Sequence, residues 1–148
     1  MTDTTAHTEP VPTPEPPVPQ PDDVTTAWWD ATREHRLTVQ QCSACQAVQH
    51  PPRAVCVACS TLEGLTQVDV SGRGEVDSFT VVHRAPRADV ATPYTIARVR
   101  LAEGPILLTR IHPHQTVSIG DAVEVTWWDL TDGRALPVFR PTTSSTTT

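Results

Sequence analysis

The feature that most constrains this chain is a short stretch from Cys42 to Cys59. It reads Cys42-Ser43-Ala44-Cys45, ten intervening residues, then Cys56-Val57-Ala58-Cys59, and it holds all four cysteines of the protein. Two residues between thiols let one tight turn aim both sulfurs at a single point. Two such turns facing each other set four thiolates at tetrahedral corners, the arrangement Zn²⁺ accepts at about 2.3 Å per bond. The gap between the pairs is short for a zinc site, yet it accommodates a strand, a turn and a return strand. The spacing predicts a structural zinc ribbon with Cys42, Cys45, Cys56 and Cys59 as ligands. Two disulfides, an iron site and a redox dithiol are the alternatives. The opening Met1-Thr2-Asp3-Thr4-Thr5 has neither a basic start nor an apolar stretch. Secretion and disulfides are therefore not expected, and the expected compartment is the cytoplasm. Four equivalent thiolates leave no open coordination position, so the metal is expected to be structural and not catalytic.

Outside this stretch the chain divides by composition. Residues 1–21 carry Pro10, Pro12, Pro14, Pro16, Pro17, Pro19 and Pro21 among Thr and acids, and are expected to form a disordered tail. Residues 142–148 form a Thr/Ser tail of the same kind. Residues 22–64 are assigned to an N-terminal helix and the ribbon, and residues 65–141 to a β-domain. No apolar run approaches the ~20 residues of a membrane-spanning helix. The net charge of −6 opposes nucleic-acid binding, which draws on a basic field. All eleven basic residues are Arg, so lysine Schiff-base chemistry is excluded, while arginine suits a forked grip on phosphate or carboxylate.

Asp22 or Asp23 can cap a helix running to about His35, with Val24, Ala27, Trp28, Ala31 and His35 at helical spacing as its buried stripe. Trp29 sits about 100° off that stripe; it either joins Trp28 in the core or faces a partner subunit. Leu37–Gln40 and Val48–Pro51 read as the strands of the ribbon, with His50 on its surface. From Leu65 onward, strand-like runs alternate with turns: Gln67–Val70, Glu75–His83, Tyr94–Leu101, Ile106–Ile111, Val123–Trp127 and Leu136–Phe139. About five strands in some seventy residues, with no long helix, favour a small closed barrel of OB-fold size. The expected fold class is mainly β: an N-terminal helix and a rubredoxin-like zinc ribbon, then a five-stranded OB-fold barrel.

From Trp28 to Pro141 the chain resembles the zinc-ribbon plus OB-fold proteins of acyl-CoA metabolism, long classed as a domain of unknown function. The resemblance rests on the Trp-containing helix, both C-x-x-C pairs, Pro51-Pro52-Arg53, Ser71-Gly72-x-Gly74-x-Val76 and Ser78-Phe79-Thr80. It continues through Pro93-Tyr94, Glu103-Gly104, Ile119-Gly120 and Phe139-Arg140-Pro141. The family often has Gly after the second cysteine of each pair, where this chain has Gln46 and Ser60; its knuckles are expected to be less relaxed. The resemblance implies a partnership with a thiolase-like protein, and in some cases with a MaoC-like hydratase. The pair would handle CoA thioesters by acyl transfer, condensation or retro-aldol cleavage, steroid and fatty acyl side chains included. It implies a hetero-oligomer in which this chain is not the catalyst but shapes the acyl-CoA channel and steadies its partner. Arg53, Arg84, Arg87 and Arg140 are candidates to meet CoA phosphates, and Phe79 and Tyr94 to line the channel. Trp29 and Trp128 each neighbour an inward-facing Trp and are candidates for the partner interface.

No self-sufficient active site is legible. Ser71-Gly72 reads as a turn and not a nucleophile elbow, and all four cysteines are assigned to the metal. His112-Pro113-His114 reads as a loop and His83 as a polar residue on the barrel rim. A nucleic-acid module is the alternative reading, because zinc ribbons and OB barrels both occur there. It would need stacking platforms in a basic groove, and the acidic charge and only seven aromatic residues oppose it.

Overall fold

The computed structural model describes residues 14–142. Its first element, α1 (Thr26–Arg33), has Thr25 at the N-cap with no side-chain cap bond, so neither Asp22 nor Asp23 caps it; Asp22 instead builds the turn before it. The Asp22 carboxylate accepts the Val24 and Thr25 amides at 3.1 and 2.8 Å, and the Thr25 hydroxyl at 2.7 Å. These bonds make a local turn, and the helix proper begins after it. The helix stops in a Schellman arrangement: His35 takes φ +54°, its amide reaches Thr32 O, and the Arg36 amide reaches Ala31 O.

The buried face of α1 is Trp28, Trp29, Ala31 and Thr32, whereas Ala27 and His35 are exposed. Trp29, expected to face a partner, is only 7% exposed. A long-range contact decides this. The guanidinium of Arg134, itself buried, lies 4.5 Å from the Trp29 ring centroid, and Thr32 Oγ1 accepts the Ala135 amide at 3.4 Å. Helical periodicity alone cannot report a neighbour that arrives about a hundred residues later.

The ribbon sheet comprises β1 (Thr38–Cys42), β2 (Val48–Gln49) and β3 (Leu65–Asp69), antiparallel in the order β2-β1-β3. β3 pairs with β1 from Thr38↔Asp69 to Cys42↔Leu65. The ladder with β1 takes Leu65–Asp69 into the ribbon sheet, and the first strand of the closed barrel starts at Arg73, after Gly72, at φ +74°, turns the chain away.

The barrel closes in the order β4-β5-β6-β8-β7, with β4 (Arg73–Val82), β5 (Tyr94–Leu101), β6 (Ile106–Ile111), β7 (Ala122–Asp129) and β8 (Ala135–Pro141). This is the expected five-stranded OB-fold. Alternation decides its faces: Thr95, Ala97, Val99 and Leu101 of β5 point inward, while Arg98 and Arg100 point out. A bulge at Asp77 lets β4 bend, so that its start pairs with β7 and its length pairs with β5. The Asp77 carboxylate accepts from Arg100 at 2.8 Å on the outer face. Leu37 and Val39 of the ribbon join Val76, Val99, Ile111, Val123 and Phe139 of the barrel in one buried cluster, so the two units share a core.

Residues 14–21 of the proline-rich segment lie against the barrel. The Glu15 carboxylate accepts the Thr131 amide, and Pro19 O accepts from Arg134. At the other end, the Thr142 amide donates to Ala122 O. Residues 1–13 and 143–148, the remainder of the two expected tails, lie outside the described residues. Among the described residues, no helix is long and apolar enough to cross a membrane.

Candidate metal centre and the groove residues

Each cysteine pair is carried on an identical turn. The Gln46 amide bonds Cys42 O and the Ser60 amide bonds Cys56 O, both at 2.9 Å; Cys42 N and Cys56 N donate to Ala47 O and Thr61 O. Gln46 and Ser60 both sit at φ +63°. This is the strained conformation expected where glycine is missing.

The four sulfurs lie within 4.8 Å of one another, and the thiols are free of disulfides. Cys42 to Cys59 and Cys45 to Cys56 are each 3.7 Å apart. A tetrahedron with ~2.3 Å metal–sulfur bonds has edges of about 3.8 Å, so one zinc ion fits between them. Electrostatics support the fit. The Cys59 and Ala58 amides point at the Cys56 sulfur and bring its thiol down to about 6. The Ala47 amide acts likewise on Cys45, but lost solvation and the neighbouring Cys56, Cys59 and Cys42 sulfurs push that thiol up to about 12. Four sulfurs this close cannot all ionise without a cation among them.

Two buried glutamines hold the second pair against the first, and sequence reasoning missed them. Gln49 Nε2 donates to Gln40 Oε1 at 2.6 Å and to Val55 O at 3.2 Å, and Gln49 Oε1 accepts the Val57 amide at 2.9 Å. Gln40 bonds both the carbonyl and the amide of Arg53 at 3.0 Å. Gln40 and Gln49 face each other in the β1–β2 register. Two glutamines on what reads as the inner face of a hairpin were the available signal.

His50 corrects an expectation. Strand reading puts it on the ribbon surface, yet it packs against Trp28 with ring centroids 5.8 Å apart, and its Nδ1 is buried without a hydrogen-bond partner among the described residues. Burial pushes its pKa down to about 4.

The remaining candidates are dispersed. Arg53 is exposed and borders an open groove of about 580 Å³ between α1 and the ribbon, with Asp23, Gln40 and Gln67. Arg84 is exposed in the loop after β4. Arg140 is ion-paired to Glu124 at 2.9 Å across β7–β8. Phe79 is 39% exposed on a shallow outer-face groove with Ile96, Arg98 and the 75%-exposed Leu108. Only Arg87, Tyr94 and Trp128 come together, lining one cavity of about 220 Å³. Arg87 is also paired with Asp89. Arg110 lies 4.3 Å from the Tyr94 ring centroid and 5.4 Å from that of Trp128. Trp128 is half-buried, and its ring stacks on His112 at 5.2 Å. Sequence reasoning missed Arg110, although its alternation with Ile111 marks an outward residue.

Comparison with known proteins bears on these features together. The family model "ChsH2, rubredoxin-like zinc ribbon domain" matches residues 29–63, and "ChsH2, C-terminal OB-fold domain" matches residues 67–128. A "Probable enoyl-CoA hydratase alpha subunit" of Thermomonospora curvata is 37% identical over 117 residues, which is 77% of this chain but 36% of that protein. The chain thus spans about a third of that relative's length. A "DUF35 domain-containing scaffold protein" of Methanothermobacter thermautotrophicus is 30% identical over 102 residues, covering 66% of this chain and 76% of the relative. Among solved structures, a chain of the "Ltp2-ChsH2(DUF35) aldolase" superposes with a TM-score of 0.75 at 32% identity, covering 84% of this chain and 98% of that one. The two family models match the ribbon and most of the barrel in that order, and the chain belongs to the ChsH2/DUF35 family of zinc-ribbon and OB-fold proteins.

Proposed function

We propose that this chain is a non-catalytic accessory subunit. It docks on a thiolase-like enzyme that works on CoA thioesters, steadies that enzyme and shapes its acyl-CoA channel. Cys42, Cys45, Cys56 and Cys59 hold one structural zinc ion that keeps the ribbon folded. The observation that carries this reading is the likeness, over nearly the whole of the solved chain, to the ChsH2(DUF35) component of an aldolase named together with Ltp2. The hydratase alpha-subunit name of a relative supports a role beside CoA-thioester chemistry, with a MaoC-like hydratase as a further partner.

The chemistry of the chain agrees. A four-thiolate site has no open position for substrate. The exposed Phe79 and Leu108 offer apolar docking surface on the outer face of the barrel. Arg53, Arg84, Arg87 and Arg140 remain the candidates for CoA phosphates, and of these only Arg87 shares a cavity with Tyr94.

The test is co-purification. The chain is co-expressed with a thiolase-like protein encoded beside it, and thioester turnover is measured for each protein and for the mixture. The expected result is a stable hetero-oligomer, with activity confined to samples containing the partner. Turnover by the isolated chain, or failure to bind any thiolase-like protein, would sink the reading.

A further inference from the structure

The outer face of the barrel carries a run of flat groups: His112, just after β6, stacks on Trp128 of β7, and Arg110 of β6 lies over both Trp128 and Tyr94 of β5. The guanidinium between two rings holds both in place, so the surface is formed before anything lands on it. The chain's own proline-rich segment lies on that surface. Pro14, Pro16 and Val18 are half-buried, while Glu15 and Pro17 between them are exposed. Pro16 lines one cavity with Leu108, Arg110, Trp128, Leu136 and Val138; Pro14 and Pro16 line the next with Arg87, Tyr94, Arg110 and Trp128.

Alternating burial describes an extended segment seated along one edge. Prolines lack the amide that would let such a segment join the sheet as a strand. Side-chain packing and two polar anchors hold it instead. The Glu15 carboxylate takes the Thr131 amide at 3.1 Å, at the tip of the β7–β8 hairpin. Pro19 O takes a hydrogen bond from Arg134 Nη1 at 2.8 Å. Arg134 is 3% exposed, stacked on Trp29 and ion-paired to Asp132 at 2.6 Å, so that anchor is fixed. Flat aromatic surfaces suit extended proline-rich chains, whose stiffness lowers the entropy lost on binding.

We propose that the Tyr94–Arg110–Trp128 face is a binding groove for an extended proline-rich segment, occupied in cis by residues Pro14–Pro17. Any group that is to reach Tyr94 or Trp128 must first lift this strap.

The full-length chain is labelled with 5-fluorotryptophan, and the Trp128 resonance is assigned with Trp128→Phe. In a variant with Pro14→Ser, Pro16→Ser and Val18→Ser, the Trp128 signal is expected to move and its acrylamide accessibility to rise at least twofold. The Trp28 signal, from a ring buried against His50 on the ribbon side, holds still, which reports an intact fold. A synthetic peptide copying residues 14–21 returns the Trp128 signal of the variant to its original position, saturably. The same peptide leaves the wild-type chain unchanged below millimolar concentration, because the tethered copy competes at that effective concentration. An unmoved Trp128 signal in the variant, no recovery with peptide, or an equal response by the wild-type chain would each overturn the proposal.

Discussion

Replacing Ser60 with glycine is expected to stabilise the ribbon, and the same change at Gln46 is expected to do less. Both residues close a cysteine knuckle at φ +63°. That conformation costs an L-residue about 1–2 kcal/mol through its Cβ. Glycine removes the cost but gives the unfolded chain about 0.5–1 kcal/mol more conformational entropy to lose. Ser60 is exposed and is held by its backbone amide on Cys56 O, a bond that glycine keeps, so the balance for Ser60→Gly is a gain of about 0.5–1 kcal/mol. Gln46 also gives up the bond from its Nε2 to Ser43 O at 2.9 Å. An exposed hydrogen bond of this kind contributes about 0.5 kcal/mol, which cancels most of the gain. In a fold of this size such energies correspond to a rise of about 2–5 °C in Tm for Ser60→Gly and roughly 0–2 °C for Gln46→Gly. The assay is thermal unfolding of the zinc-loaded chain followed by circular dichroism, with Ser60→Ala as the control. Alanine keeps the Cβ and therefore the strain, so its Tm should stay within about one degree. A fall with glycine, or an equal gain with alanine, would refute the argument from backbone strain.

Elemental analysis is expected to find one zinc per chain. Stripping it with a strong chelator should collapse the amide dispersion of β1–β3 in NMR spectra, because such sites supply folding energy directly; a metal-free chain with an unchanged spectrum would contradict the assignment. His50 makes stability depend on pH. Its folded pKa of about 4 lies below the ordinary 6.5, so the unfolded chain takes up the proton first. Stability is fully present above about 6.5 and is lost as pH falls toward about 4. Up to about 2 kcal/mol should disappear between pH 7 and pH 5. His50→Phe should flatten that part of a urea-denaturation series, since thiolate protonation is common to both chains; parallel slopes would remove His50 from the account. Trp29→Ala should cost about 3–5 kcal/mol of stability, whereas Trp128→Ala, at a half-buried ring, should lower Tm by less and should weaken partner binding. Pull-down and calorimetry on both variants check this, and a reversed pattern would restore Trp29 to the interface.

Much of the fold was legible along the chain because its determinants are local. The two C-x-x-C turns, the inward Thr95, Ala97, Val99 and Leu101, and the turn at Gly72 each depend on residues a few positions apart. The candidate site was legible only where it rests on that same short-range geometry, at the cysteines. Arg53, Arg84 and Arg140 could be named as cations, but their separation on different faces could not be read from their order.

What the sequence determined by itself was the composition and order of the two units: a four-thiolate ribbon, then a five-stranded barrel. Covalent spacing and side-chain alternation suffice for that. Only the tertiary structure decided that β3 joins the ribbon, that Trp29 is buried and His50 half-buried, and that Pro14–Pro17 lies beside Tyr94 and Trp128. Each of these follows from a partner distant in the chain: β1 for β3, Trp28 for His50, Arg134 for Trp29, and the β7–β8 hairpin for the strap. Helical or strand period states which residues share a face. It carries no information about which distant surface that face will meet.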